Sequence, residues 1–336
     1  MYSSASDVMY EEKYFLKHKQ HFFNQFEFKN GFIIENAKVD YGVVGTPKYD
    51  DEGNIINAVL FCHNFEGDYS SISYFKHFAN QNKVFDKNEY FFISITSLGF
   101  PGSCSPSVSG LNHEFPNYEI EDLINFQKQL LKEKFPNIKK LRGIIGYSIG
   151  GYIALGWSIY YPDDMEFTIL LNSSFKAQGY RYVFANLANR IIDETSNYSS
   201  DIYDESISKT LILISQIHYI MSFSIDYLNI SSPEEIIFSI DNFADNMLFV
   251  DIYDIKIGND FLMSFDLEDG LDKIKCKLLV IAWDYTNYYV AKFDSVPIYE
   301  AVEGSKYLKL DGGTGSNIID NLYKIADDVK EFINSV

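Results

Sequence analysis

Residues Leu141 to Leu155 read LRGIIGYSIGGYIAL, and the fold turns on this stretch. Within it, Gly146-Tyr147-Ser148-Ile149-Gly150 is a G-x-S-x-G pattern. An apolar run (Gly143-Ile144-Ile145) precedes it, and apolar residues at helical spacing (Tyr152, Leu155, Ile159) follow. Strand, sharp turn and helix in that order form a nucleophile elbow, which lifts a serine to the apex of the turn. The turn is so tight that the positions two before and two after the serine must be small, as Gly146 and Gly150 are. Gly151 lets the helix lie close to the strand. Ser148 is therefore the candidate nucleophile.

On either side of the elbow, short apolar runs alternate with helical patterns. Ile56–Cys62 (INAVLFC), Glu89–Ile95 (EYFFISI), Phe167–Leu171 (FTILL) and Cys276–Trp283 (CKLLVIAW) are expected to be buried parallel strands, with Lys306–Leu310 (KYLKL) another. Ile120, Leu123, Ile124, Gln127, Leu130 and Leu131 predict one helix. Ile318, Leu322, Ile325, Val329 and Phe332 predict a closing helix over Asn317–Val336. Phe26–Gly45 reads as two extended segments turning at Asn30-Gly31. The alternation stops between about Ser174 and Leu267, where stretches such as TLILISQIHYIMSFSIDYL predict a helical insertion. Ligands of open α/β sheets bind beyond the strand C-termini, so this insertion is expected to cover the site as a lid. The expected architecture is an α/β-hydrolase fold with a mostly parallel sheet of about eight strands. Residues 1–25 read as a polar leader, 26–173 and 272–336 as the two parts of the core, and 174–271 as the lid.

Composition narrows the function. A 336-residue chain that is 46% hydrophobic and 17% aromatic has ample material for a packed interior. Its N-terminus lacks the apolar segment of a standard secretion signal, and no run of 18 apolar residues occurs, so a cytoplasmic protein without a membrane partner is expected. Cys62, Cys104 and Cys276 have neither metal nor disulfide spacing and read as reduced cysteines. No metal or cofactor motif is read. A net charge of −19 argues against nucleic acid. Between Ile191 and Gly270 the chain carries 16 acidic residues against Lys209 and Lys256, which makes the insertion an anion-repelling element or a solvated acidic surface.

Several segments resemble the homoserine O-acetyltransferases and their esterase relatives. They are INAVLFCHNFEGD, EYFFISITSLGFPGSCSPS, IEDLINFQKQLL, GYSIGGYIALGWSIYYPD and ANLANRIID, in that order, and the insertion between Thr195 and Leu271 matches weakly. The resemblance implies an acyl-enzyme on Ser148 and transfer of an acetyl group from coenzyme A to a hydroxyl. It implies oxyanion donors at the backbone N–H groups of Phe65 and Ile149. The same alignment places Thr286 where the family has its catalytic acid and Ser316 where it has its histidine, with Asp284 on a non-catalytic aspartate. The family's lid arginine has no counterpart among Arg142, Arg181 and Arg190.

A serine hydroxyl needs an adjacent base to attack at neutral pH. Loss of the histidine costs on the order of 10⁶ in kcat in a serine protease, leaving roughly 10³–10⁴ over water. The chain has no histidine after His218. His113, His63 and Asp284 are the alternative bases. His63 is expected to hold the oxyanion loop in shape, His113 to be a loop residue and His218 a satisfied histidine on an apolar lid helix. Two readings stand close together. Ser148 performs acyl transfer or ester hydrolysis with a non-standard base, or the chain is a catalytically silent relative that binds a small molecule or a protein partner. A structural role, with a possible homodimer, is a third.

Overall fold

The computed structural model describes residues 16–65, 67–77, 84–200, 202–247, 250–283, 287–310 and 321–336. Eight strands form one sheet in the order β1-β2-β4-β3-β5-β6-β7-β8. They are β1 (Lys17–Glu27), β2 (Ile33–Val44), β3 (Ala58–Cys62), β4 (Phe91–Ile95), β5 (Leu141–Tyr147), β6 (Met165–Leu171), β7 (Lys277–Trp283) and β8 (Lys306–Leu310). β1 pairs antiparallel with β2, and β2 with β4; every other pairing is parallel. All residues of β3 and β4 are buried, because helices cover both faces of the parallel part and leave no solvent side for polar residues.

The helices are α1 (Pro106–Ser109), α2 (Ile120–Lys134), α3 (Ile149–Tyr160), α4 (Gly179–Asp193), α5 (Glu205–Ser222), α6 (Ile225–Ile230), α7 (Pro233–Met247), α8 (Ile252–Ser264), α9 (Ser295–Ala301) and α10 (Ala326–Asn334). On one face of the sheet α2 and α3 pack through Leu123, Ile124, Ile153 and Trp157. On the other, Leu322, Val329 and Phe332 pack beneath Phe167 and Leu279. Helices α4 to α8 make up the segment between β6 and β7. Part of it has an apolar cluster of its own, with Phe184, Ile192, Leu211, Ile214 and Ile252 buried together. No helix among the described residues is long and apolar enough to cross a membrane.

Two expectations need correction. Residues 17–25, read as leader, belong to β1 and close the sheet edge. Their sequence KHKQHFFNQ hides this, because an edge strand with one solvated face buries little, here Phe23 and Phe26. The closing helix is split, into a 3-10 turn at Leu322–Ile325 and α10. Ile318 lies outside the described residues.

Candidate active site

The elbow forms as its sequence requires. Ser148 has φ 57 and ψ −119, a backbone conformation that a non-glycine residue rarely adopts. Its N–H donates to Leu171 O at 3.0 Å, and its carbonyl accepts from Ser173 Oγ at 2.8 Å, so the strained residue is tied to the end of β6. A Cβ on Gly146 would stand 2.2 Å from Gly150 O, and one on Gly150 would stand 2.0 Å from Cys62 O. Both contacts are to backbone, which cannot rotate away. These two positions therefore admit only glycine.

Phe65 follows the C-terminal end of β3, and Ile149 is the first residue of α3. Among the described residues no hydrogen bond occupies either backbone N–H. The ring of Phe65 packs edge-on against Phe100 at 5.7 Å, and a Cβ on Gly258 of α8 would come within 3.3 Å of it. Helix α8 thus touches the loop that carries one proposed oxyanion donor. A second link lies one turn earlier, where Asp254 accepts from Ser107 N at 3.0 Å and Ser107 Oγ at 2.6 Å. Burial pushes the Asp254 carboxyl up to about 6.

The histidines are placed as follows. His63 is fully buried; its Nε2 accepts from Ser97 N at 2.9 Å, and its Nδ1 lies 2.7 Å from Asn64 O. An acceptor Nε2 forces the proton onto Nδ1, so both ring nitrogens are engaged and neither can accept the Ser148 proton. Burial also holds its pKa below the usual histidine value. His113 is exposed on a 3-10 turn over Asn112–Glu114, away from any hydrogen bond to Ser148. His218, half-buried on α5, lies among Phe184, Phe243 and Tyr288, with its ring stacked on Phe184 at 4.7 Å. Thr286, Ser316 and Asp284 lie outside the described residues.

The partner of Ser148 is a residue that sequence reading missed. Ser148 Oγ lies 3.1 Å from Tyr289 OH, and Tyr289 OH donates to Tyr152 OH at 3.3 Å. Among the described residues no histidine or carboxylate is hydrogen-bonded to Ser148. Tyr289 is buried, and its burial raises the phenol well above the usual tyrosine range, so it is protonated at neutral pH. The sequence held one usable signal: Tyr288-Tyr289 follow β7 closely, at the C-terminal edge where ligand-facing groups gather. Among the described residues, no cluster of His, Cys, Asp or Glu is placed to hold a metal ion.

Comparison with known proteins follows the same line. No family model matches the chain. A protein of Methanothermobacter thermautotrophicus named a probable acyltransferase is 32% identical over 309 residues, covering 92% of this chain and 95% of that one. A homoserine O-acetyltransferase of Leptospira biflexa is 26% identical over 321 residues, covering 84% and 82%. An acetylester hydrolase of Corynebacterium glutamicum superposes with a TM-score of 0.80 at 20% identity, over 95% of this chain and 96% of that one, and shares the α/β-hydrolase fold. An elbow serine on an eight-stranded, mostly parallel sheet and a full-length relative at this identity lead to one conclusion: the chain belongs to the homoserine O-acetyltransferase-like family of acyltransferases.

Proposed function

We propose that the chain is a member of this family whose Ser148 site binds a small acyl or ester-like molecule and does not acetylate homoserine at a family-like rate. The observation that carries the reading is the Ser148–Tyr289 contact. A neutral phenol cannot take the serine proton at pH 7, and beyond it stands Tyr152, which burial also keeps protonated. Tyr152 in turn neighbours Arg181, a permanent cation with no lone pair to offer. Among the described residues, the hydroxyl contacts from Ser148 run through Tyr289 to Tyr152 and include no histidine or carboxylate. The alignment of Ser316 at the histidine position and Thr286 at the acid position agrees with this. So does the acidic insertion, which disfavours the polyanion coenzyme A.

One observation favours the second reading, slow Ser148-dependent acyl transfer or ester hydrolysis. A serine at φ 57 stores strain of roughly 1–3 kcal/mol that glycine would relieve, and the chain retains the serine. The test is a p-nitrophenyl acetate burst in the parent and Ser148→Ala, beside thiol release from acetyl-CoA with homoserine. The silent-site reading expects no burst and no homoserine-dependent thiol. A burst abolished by Ser148→Ala overturns it in favour of the second reading.

A further inference from the structure

Arg181 lies on α4, the first helix after β6, yet its side chain is buried at the foot of the segment that follows β7. Asp294 meets it in a fork: NH1 to Oδ2 at 3.0 Å and NH2 to Oδ1 at 2.5 Å, with both side chains 3% exposed. NH1 also donates to Tyr288 O at 2.6 Å, and NH2 to Lys176 O at 3.2 Å. Asp294 Oδ2 accepts from Val290 N at 2.7 Å. The backbone on both sides of Tyr289 is therefore tied to one ion pair. The guanidinium lies 4.7 Å over the Tyr289 ring, whose hydroxyl makes the contact with Ser148.

Burying this pair is costly. Two charges leave water, and among the described residues Arg181 Nε has no hydrogen-bond acceptor. A pair of apolar residues could fill the space at less expense, so stability alone is a poor account of it. We infer that Arg181, braced by Asp294, is a positioning residue that sets the Tyr289 hydroxyl on Ser148. The state of the elbow serine is then fixed from the helical segment rather than from the core. This deepens the reading of the site given above and rests on it for the protonated state of Tyr289.

The fork matters more than the charge. A lysine can supply the cation but not two parallel N–H groups to Asp294 while also reaching Tyr288 O. Position and charge can therefore be separated by experiment. Tyr289 is replaced by 3-fluorotyrosine through site-specific incorporation in the full chain, and its fluorine resonance is followed by NMR across pH. Ser148→Ala is expected to displace the resonance, since the hydroxyl contact is lost.

Arg181→Lys and Asp294→Asn are both expected to displace or split it at neutral pH, because each breaks the fork. Their titrations should part company. Asp294→Asn leaves a cation uncompensated beside the ring and lowers the fluorophenol midpoint, whereas Arg181→Met leaves a carboxylate there and raises it. A support that acted only on stability would lower the melting temperature without this opposite pair of midpoint shifts. If Ser148→Ala leaves the resonance in place, the contact is refuted. If folded Arg181→Lys, the mildest variant, keeps the parent resonance, the positioning role is refuted. An ester burst in the parent protein would overturn the silent-site reading while leaving the fluorine pattern intact, so the two can fail separately.

Discussion

Asp254 makes stability fall as pH rises, the reverse of an ordinary surface aspartate. Its carboxyl is pushed from 3.8 to about 6 by burial, against the pull of the Ser107 N–H and hydroxyl. The folded state therefore holds the proton more tightly than the unfolded chain. That advantage is complete below about pH 4 and is lost as pH rises through about 6. A shift of this size corresponds to roughly 3 kcal/mol in all, of which about half, ~1.4 kcal/mol, falls between pH 5 and pH 8. Asp254→Asn keeps a side-chain oxygen for the Ser107 donors and removes the titration. Urea unfolding of parent and variant at both pH values isolates the effect, because every other titrating group cancels in the difference. The stability of the parent relative to Asp254→Asn should drop about tenfold in the folding constant over that interval. A difference independent of pH would show that Asp254 is solvated and that α8 is not held against Ser107 as described.

Three further outcomes are expected. Gly150→Ala should abolish folding or cost more than ~3 kcal/mol, because its Cβ meets the Cys62 and His63 carbonyls; Gly258→Ala, whose Cβ meets only the movable Phe65 ring, should melt within a few degrees of the parent. Ser148→Gly should raise the unfolding free energy by about 1 kcal/mol or more in chemical denaturation, as the strain at φ 57 is released; an unchanged or lower value would mean the elbow is not strained. Thr286→Asp combined with Ser316→His should give a Ser148-dependent ester burst that neither change gives alone, since a histidine without its carboxylate can hold the wrong tautomer. A double variant that folds and stays inert would show that these loops do not align with the family's catalytic loops.

The sequence by itself determined the sheet and its elbow. G-x-S-x-G between an apolar run and a helical pattern has one geometric solution, because Gly146 and Gly150 approach backbone carbonyls that no side chain could avoid. Buried strands announce themselves as unbroken apolar runs, so β3, β4, β6 and β7 were legible within a few residues. β1 was not: a polar edge strand owes its place to its hydrogen-bonded neighbour β2, and pairing leaves little trace in composition. His63 was assigned its place in the oxyanion loop from a resemblance, but only the structure supplied the two hydrogen bonds that engage its ring.

The surroundings of Ser148 belong wholly to tertiary structure. Tyr289 is 141 positions from Ser148, and Arg181 is 113 from Asp294, so no local pattern links them. Arg181 looked like any of three arginines in an acidic chain. It became informative when folding removed water from around it, since a charge without solvent must find a fixed partner, and that partner sits beside the residue that meets the serine.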